Sequence, residues 1–150
     1  MSELQQVEIL LVEDNPRDAE MTLRSLKRSN LASRVHWVKD GAEALEFMFR
    51  EGAYAGREAD RTPRLVLLDI KMPKVDGIEV LRRLKADERT RTTPVVIMTS
   101  SNEERDVVES YALGANSYIV KPVQIDAFLK TVGDLGLYWL LTNRVPERTA

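Results

Sequence analysis

The sequence predicts an α/β fold of five β-α units, (βα)5, with a doubly wound, five-stranded parallel sheet. Five short apolar runs recur along the chain, and several are continuous rather than alternating, which is typical of strands covered on both faces. Longer amphipathic segments separate these runs. Strands that alternate with helices through short connections favour a parallel sheet with helices on both of its faces.

The predicted elements follow in chain order. The strands are the apolar runs Glu8–Val12, Arg34–Val38, Leu65–Leu68, Val95–Met98 and Ser117–Val120. The helices are the amphipathic segments Pro16–Ser29, Ala42–Glu51, Gly77–Asp87, Glu103–Leu113 and a last, extended one from Gln124 to about Leu141.

Local signals support several of these boundaries. Asn15-Pro16 is typical of an N-cap followed by proline at the first helical position, and Gly114 is typical of a residue that ends a helix. Gly52–Pro63 breaks the periodicity and is predicted to be a surface loop. His36 lies within the second strand, away from the strand ends, and is predicted to be a half-buried strand residue.

Composition narrows the class of protein. The chain has 150 residues, a formal net charge of −2 and no cysteine. The length predicts one domain, and the missing cysteines exclude disulfides, thiolate zinc sites and a cysteine nucleophile. The balanced charge predicts no nucleic-acid partner, and the absence of a long apolar run or a signal peptide predicts no membrane association and a cytoplasmic location.

Polar side chains follow four of the five predicted strands. Glu13 and Asp14 follow the first, Asp69 the third, Thr99 the fourth and Lys121 the fifth. Because parallel strands bring their carboxyl ends to one edge of the sheet, these side chains are expected to meet there.

Crowded carboxylates repel one another unless a cation compensates them, and Mg²⁺ prefers oxygen ligands. One carboxylate beside such an ion can attack an activated phosphoryl group and form an aspartyl phosphate. Lys121 and Thr99 offer an ammonium and a hydroxyl to the phosphoryl oxygens. The sequence therefore predicts a Mg²⁺ site with phosphoryl-transfer chemistry.

These residues resemble the receiver domains of two-component response regulators, which have a flavodoxin-like, chemotaxis-protein-like fold. The matching motifs are Glu13-Asp14-Asn15, Leu67–Pro73 with Asp76-Gly77, Thr99-Ser100 and Lys121-Pro122. The resemblance covers the chain from about Val7 to Val132. It implies a single receiver domain over 1–150, with a core at about 7–132 and a C-terminal extension at 133–150.

The resemblance also implies a role for each site residue. Asp69 is the expected phosphoacceptor. The implied ligands of Mg²⁺ (or Mn²⁺) are Asp14, Asp69, Glu13 mainly through water, and the backbone carbonyl of Lys71. Lys121 and Thr99 are expected to hold phosphoryl oxygens, Thr99 and Tyr118 to act as switch residues, and Lys121-Pro122 to be a cis peptide. Asp76-Gly77 is interpreted as a turn and helix entry.

The resemblance further implies a sensor histidine kinase as partner and an output surface on the fourth helix, fifth strand and fifth helix. The long loop, the apolar C-terminal segment and the lack of an output domain resemble the stand-alone receivers that partner bacterial phytochromes. We expect a homodimer through the C-terminal segment, with interface residues Phe128, Leu137, Tyr138, Trp139 and Leu141.

Three alternatives stay open beside this interpretation. A haloacid dehalogenase-like phosphohydrolase also forms an aspartyl phosphate, but it carries a second Asp two residues after the nucleophile, where this chain has Lys71. A flavodoxin-like small-molecule binder would need a phosphate cradle in the loops. A receiver-like module that is never phosphorylated would not need the acids, threonine and lysine. We expect a signalling switch that catalyses only its own phosphorylation and slow dephosphorylation.

Overall fold

The computed structural model describes residues 9–28, 35–56, 62–70, 72, 75–99 and 109–134. Its strands are β1 (Ile9–Val12), β2 (Val35–Val38), β3 (Leu65–Asp69), β4 (Val95–Thr99) and β5 (Ser117–Val120). Its helices are α1 (Pro16–Arg28), α2 (Gly41–Phe49), α3 (Gly77–Ala86), α4, of which residues 109–112 are described, and α5 (Ile125–Asp134). The predicted alternation of strands and helices is confirmed, and most of the observed boundaries lie within two residues of the predicted ones.

The strands form one parallel sheet in the order β2-β1-β3-β4-β5. The register places Val12 opposite Leu68 and Thr99 opposite Val120, so the strands end almost level with one another. The predicted doubly wound, flavodoxin-like fold is confirmed. Residues that directly follow these strands are therefore brought to one edge.

Two hydrophobic clusters cover the two faces of the sheet. Leu10 and Leu68 join α2 and α3 in one cluster, whereas Leu11 and Leu67 join α1 and α5 in the other. Every residue of β1 is fully buried, because neighbours along the strand point to opposite faces and each face carries helices. This explains why the apolar runs are continuous.

Side chains at the helix ends explain several boundaries. The carboxamide oxygen of Asn15 accepts hydrogen bonds from the backbone N–H groups of Arg17 and Asp18, which confirms the predicted N-cap of α1. Asp76 caps α3 in the same way, since its carboxylate accepts from the Glu79 N–H at 2.9 Å. Gly114 has φ 108°, a left-handed value that suits the predicted end of α4.

The predicted surface loop begins with a short 3-10 helix over Gly52–Tyr54, which the sequence analysis did not anticipate. The Tyr54 hydroxyl donates to a Glu43 carboxylate oxygen at 2.7 Å and lies 3.0 Å from Nε2 of His36. The imidazole of His36 also stacks on Phe47, and its strand position is half-buried as predicted. Side-chain contacts with α2 and β2 thus order this turn, and a local polarity pattern does not reveal such contacts.

Among the described helices, none combines the length and the apolar character that a membrane crossing requires.

Candidate functional site

Three acidic side chains meet at the carboxyl edge of the sheet. Glu13 and Asp14 follow β1, and Asp69 is the last residue of β3. One carboxylate oxygen from each lies within 4.8 Å of the other two. Glu13 and Asp69 are 0% and 4% exposed, so the cluster has a buried floor, and Asp14 lies on its solvent side.

Lys121, which directly follows β5, supplies the positive charge at this edge. Its ammonium lies 3.0 Å from a Glu13 oxygen, 3.0 Å from an Asp18 oxygen and 3.4 Å from an Asp69 oxygen. Only 9% of the Lys121 side chain is exposed. Burial alone lowers the pKa of Lys121, but hydrogen bonds to Glu13 and Asp18 and the charge of Asp69 outweigh it. The net effect raises the pKa above its usual value, so the lysine is charged at neutral pH.

Glu13 is fixed by both its side chain and its backbone. One carboxylate oxygen accepts from Lys121, and the other accepts from the Asn15 N–H at 3.1 Å. Its backbone N–H donates to the Val38 carbonyl at 3.1 Å, and its carbonyl accepts the indole N–H of Trp37 at 2.7 Å. These bonds tie the β1–α1 connection to β2 and to the lysine.

Asp18 is the site residue that the sequence analysis missed. It lies in the first turn of α1, where an acid is ordinarily explained by the helix dipole. Its place in the first turn of α1 was the available signal, because that turn begins directly after Asp14 and Asn15 and so lies near the same edge. Its pairing with Lys121 joins residues 103 positions apart, and no local pattern contains that information.

Several predicted site residues are placed only partly. Thr99 ends β4 at the same edge, opposite Val120, while its hydroxyl lies outside the described part of the chain, as does the Lys71 carbonyl. Tyr118 lies in β5, half-buried, with its ring centroid 6.2 Å from that of Tyr111. The Lys121-Pro122 peptide is cis, as expected.

The predicted interface residues divide into two groups. Phe128 is 1% exposed and packs in the cluster between the sheet and α1 and α5, so its assignment to a surface interface is corrected: it faces the sheet. The other four lie outside the described residues: Leu137, Tyr138, Trp139 and Leu141.

The acidic cluster suits a divalent cation by its donor chemistry. All three candidate ligand atoms are carboxylate oxygens, the type that Mg²⁺ and Mn²⁺ prefer. With Asp18 the group has four carboxylates, of which Glu13, Asp18 and Asp69 share the Lys121 ammonium, so it carries an excess of negative charge. The accessible position of Asp14 leaves a side open to water and to a phosphoryl group.

The family model for the response regulator receiver domain matches residues 9–133. The chain belongs to the response regulator receiver family. It is 42% identical to the probable methanogenesis regulatory protein FilR2 of Methanothrix harundinacea (strain 6Ac), over 92% of this chain and 86% of that protein. It is 36% identical to the response regulator Rcp1 of Synechocystis, over 92% of each chain.

Solved structures agree with this assignment. The bacteriophytochrome response regulator RtBRR superposes with a TM-score of 0.80 at 50% identity, over 87% of this chain and 78% of that chain. The Mn²⁺-bound form of Rcp1 superposes with a TM-score of 0.72 at 36% identity, over 88% and 93% of the two chains. The receiver is thus related to phytochrome response regulators.

Family membership confirms the resemblance on which the sequence analysis relied. Receiver domains bind a divalent metal at an acidic pocket, pair with histidine kinases and act as signalling switches rather than as classical enzymes. Membership of the receiver family therefore favours a receiver site over the site of a phosphohydrolase or of a flavodoxin-like small-molecule binder.

Proposed function

We propose that this receiver accepts a phosphoryl group from a sensor histidine kinase onto Asp69, in a Mg²⁺- or Mn²⁺-dependent reaction, and signals through its own surface. One observation carries the proposal. Asp69 is the last residue of β3, and its carboxylate oxygens lie within 4.8 Å of oxygens of Glu13 and Asp14 and 3.4 Å from the Lys121 ammonium. The site therefore combines a nucleophile, candidate metal ligands and a positive charge at one edge of the sheet.

In the transfer, an Asp69 carboxylate oxygen forms a bond to phosphorus as the bond between phosphorus and the donor histidine nitrogen breaks. The electron pair of the broken bond returns to the imidazole. When bound, the cation supplies charge neutralisation for the phosphoryl oxygens. Glu13, Asp14 and Asp69 would hold it, together with the Lys71 carbonyl.

Lys121 is suited to hold a phosphoryl oxygen because it is already charged and already lies beside Asp69. A small movement of a flexible ammonium brings its charge onto the phosphoryl group. We assign Thr99 to a second phosphoryl oxygen because it ends the neighbouring strand β4. Charge placed on Asp69 then favours whichever conformation brings these groups closest, which is a population shift.

We propose that the output surface comprises α4, β5 and α5, with Tyr118 as the switch aromatic. Tyr111 and Val120 are 45% and 42% exposed on this surface, and Tyr118 packs beside Tyr111. Leu137, Tyr138, Trp139 and Leu141 are the proposed homodimer contacts. The likeness to the bacteriophytochrome response regulator RtBRR supports a bacterial phytochrome as the kinase. We further propose a single receiver domain over 1–150 and a cytoplasmic protein without nucleic-acid or membrane partners.

Intact-mass measurement after incubation with acetyl phosphate and Mg²⁺ tests the phosphoacceptor. We expect the wild type to gain one phosphate and Asp69→Asn to gain none. Asp76→Asn is the matched control, because Asp76 caps α3 outside the acidic cluster and should leave phosphate uptake unchanged. Chelation of the metal should abolish uptake by the wild type.

A folded wild type that stays unmodified would contradict the proposal and favour the receiver-like module that is never phosphorylated. Uptake by Asp69→Asn at the wild-type rate would move the acceptor to another residue. Phosphotransfer from a panel of histidine kinases, with light scattering before and after transfer, then tests the phytochrome partner and the dimer.

A further inference from the structure

The indole N–H of Trp37 makes a cross-strand contact with the acidic site. It donates to the backbone carbonyl of Glu13 at 2.7 Å, although Trp37 lies in the edge strand β2 and contributes no atom to the acidic cluster. That carbonyl belongs to the peptide unit between Glu13 and Asp14. The indole therefore fixes the plane of the peptide from which the Asp14 side chain departs.

The orientation of the Asp14 side chain depends on its backbone more than the orientations of Glu13 and Asp69 do. Glu13 and Asp69 are buried and contact Lys121. The Asp14 carboxylate accepts no hydrogen bond and forms no ion pair within the described part of the chain. The backbone sets the position of its Cα and the direction of its Cα–Cβ bond, so the bonds that hold the Glu13–Asp14 peptide limit where its oxygens can reach.

The donor itself is held firmly. Trp37 packs against the cluster formed by the sheet with α1 and α5, and it lies opposite Leu11 in the register of β1 and β2. The ammonium of Lys39 lies over the indole ring, 5.5 Å from its centroid. A half-buried ring with these contacts has few alternative rotamers, so its N–H is held in place as a donor.

We propose that Trp37 is a positioning residue of the acidic site: its indole N–H holds the Glu13–Asp14 peptide in the orientation that lets Asp14 share a divalent cation with Glu13 and Asp69. The inference rests on the proposed function only in requiring that this site bind a divalent cation. Hydrogen bonds that orient the ligand residues are known to affect the affinity of a site for its metal ion, because they hold the ligands in place in the metal-free protein.

The test measures Mn²⁺ affinity from the electron paramagnetic resonance signal of the free ion. The parent protein carries Trp139→Phe, so that Trp37 is its one tryptophan. In this parent, Trp37 is replaced by its benzothienyl analogue, in which sulfur takes the place of the indole N–H and the shape of the ring is kept. A second variant, Lys39→Met, removes the charge above the ring but leaves the N–H in place.

We expect the benzothienyl protein to bind Mn²⁺ about three- to tenfold more weakly than its parent, which is the scale of one lost neutral hydrogen bond. Lys39→Met should bind with parental affinity apart from a small loss or gain from surface charge. Equal Mn²⁺ affinity of the parent and the benzothienyl protein would overturn the positioning role. Absence of Mn²⁺ binding by the parent would instead overturn the metal site itself.

A metal-free measurement separates positioning from packing. In the parent without metal, the single indole N–H should exchange with deuterium more slowly than an exposed indole, since it is bonded to the Glu13 carbonyl. Thermal denaturation of the metal-free benzothienyl protein should give a midpoint only about 2–4 °C below that of the parent, because one hydrogen bond is lost while the ring contacts remain. Exchange at the rate of a free indole would refute the proposal whatever the Mn²⁺ result.

Discussion

Gly77→Ala adds one methyl group where the fold has no room for it. Gly77 opens α3 directly against the end of β3, and its N–H donates to the Ile70 carbonyl at 2.8 Å. A Cβ at this position would lie 2.2 Å from the Asp69 carbonyl oxygen and 2.6 Å from the Ile70 Cα. Both atoms are backbone, so a side-chain rotation cannot relieve the clash.

The size of the effect follows from these distances. An ordinary contact of a Cβ begins at 3.4 Å, so α3 and the end of β3 must separate by roughly 1 Å. Overpacking of a well-packed site costs about 1–3 kcal/mol, and the helix propensity of alanine returns at most about 1 kcal/mol of this. Because the overlapping atoms are backbone, the upper end of the range applies, and about 3 kcal/mol less about 1 kcal/mol leaves a fall of about 2 kcal/mol in the free energy of unfolding.

Urea denaturation followed by circular dichroism measures this change. The midpoint for Gly77→Ala should fall by about 1 M, given a urea dependence typical of a chain of this size. Gly56→Ala is the matched control, because a Cβ there meets no atom of the described residues within 4 Å, and its midpoint should stay near that of the wild type. Equal midpoints for Gly77→Ala and Gly56→Ala would refute the argument from close approach.

Three further predictions concern single side chains. Lys121→Met should lower the free energy of unfolding, measured by urea denaturation, by about 3 kcal/mol, because it leaves buried carboxylates without their cation. Asp18→Asn should change the same quantity by less than about 1 kcal/mol, because Asp18 is partly exposed. Equal losses for the two variants would contradict this ranking. Thr90→Val should cost about 1–2 kcal/mol in the same assay, since the buried hydroxyl donates to the Leu84 carbonyl at 2.6 Å, and an unchanged midpoint would contradict it. The raised pKa of Lys121 means that its stabilisation is complete below the unfolded value near 10.4 and is lost only as the pH rises through the higher folded value. The difference between wild type and Lys121→Met should therefore stay constant from about pH 6 to pH 9, and a difference that shrinks in that range would refute the assigned direction.

The fold was predictable because its strands are buried on both faces. Such burial demands continuous apolar runs, and runs of this kind separated by amphipathic segments admit few topologies. The meeting of Glu13, Asp14, Asp69 and Lys121 followed from the same reasoning, since each residue ends a strand or lies within two residues after one. In a parallel sheet, residues at the carboxyl ends of different strands lie close together although they are far apart in the sequence.

Contacts that depend on the reach of a side chain were not predictable. The bonds of Asp18 to Lys121 and of Trp37 to the Glu13 carbonyl join elements through single rotamers, and neither leaves a periodic signal. The assignment of Phe128 to an interface failed for a related reason. A helix with apolar residues on more than one side does not reveal which of them faces the sheet until the helix is docked.

Lys121 joins three carboxylates that come from different elements. Its one ammonium is shared by Glu13 after β1, Asp18 in α1 and Asp69 at the end of β3. Under the proposed function, Glu13 and Asp69 would also hold a divalent cation, whose positive charge would compete with Lys121 for the same carboxylates. Negative charge added to Asp69 would strengthen its attraction for the ammonium relative to that of Asp18. Both events would therefore change the balance of charge around one buried ammonium, which makes Lys121 the residue through which cation binding and phosphoryl transfer would be coupled.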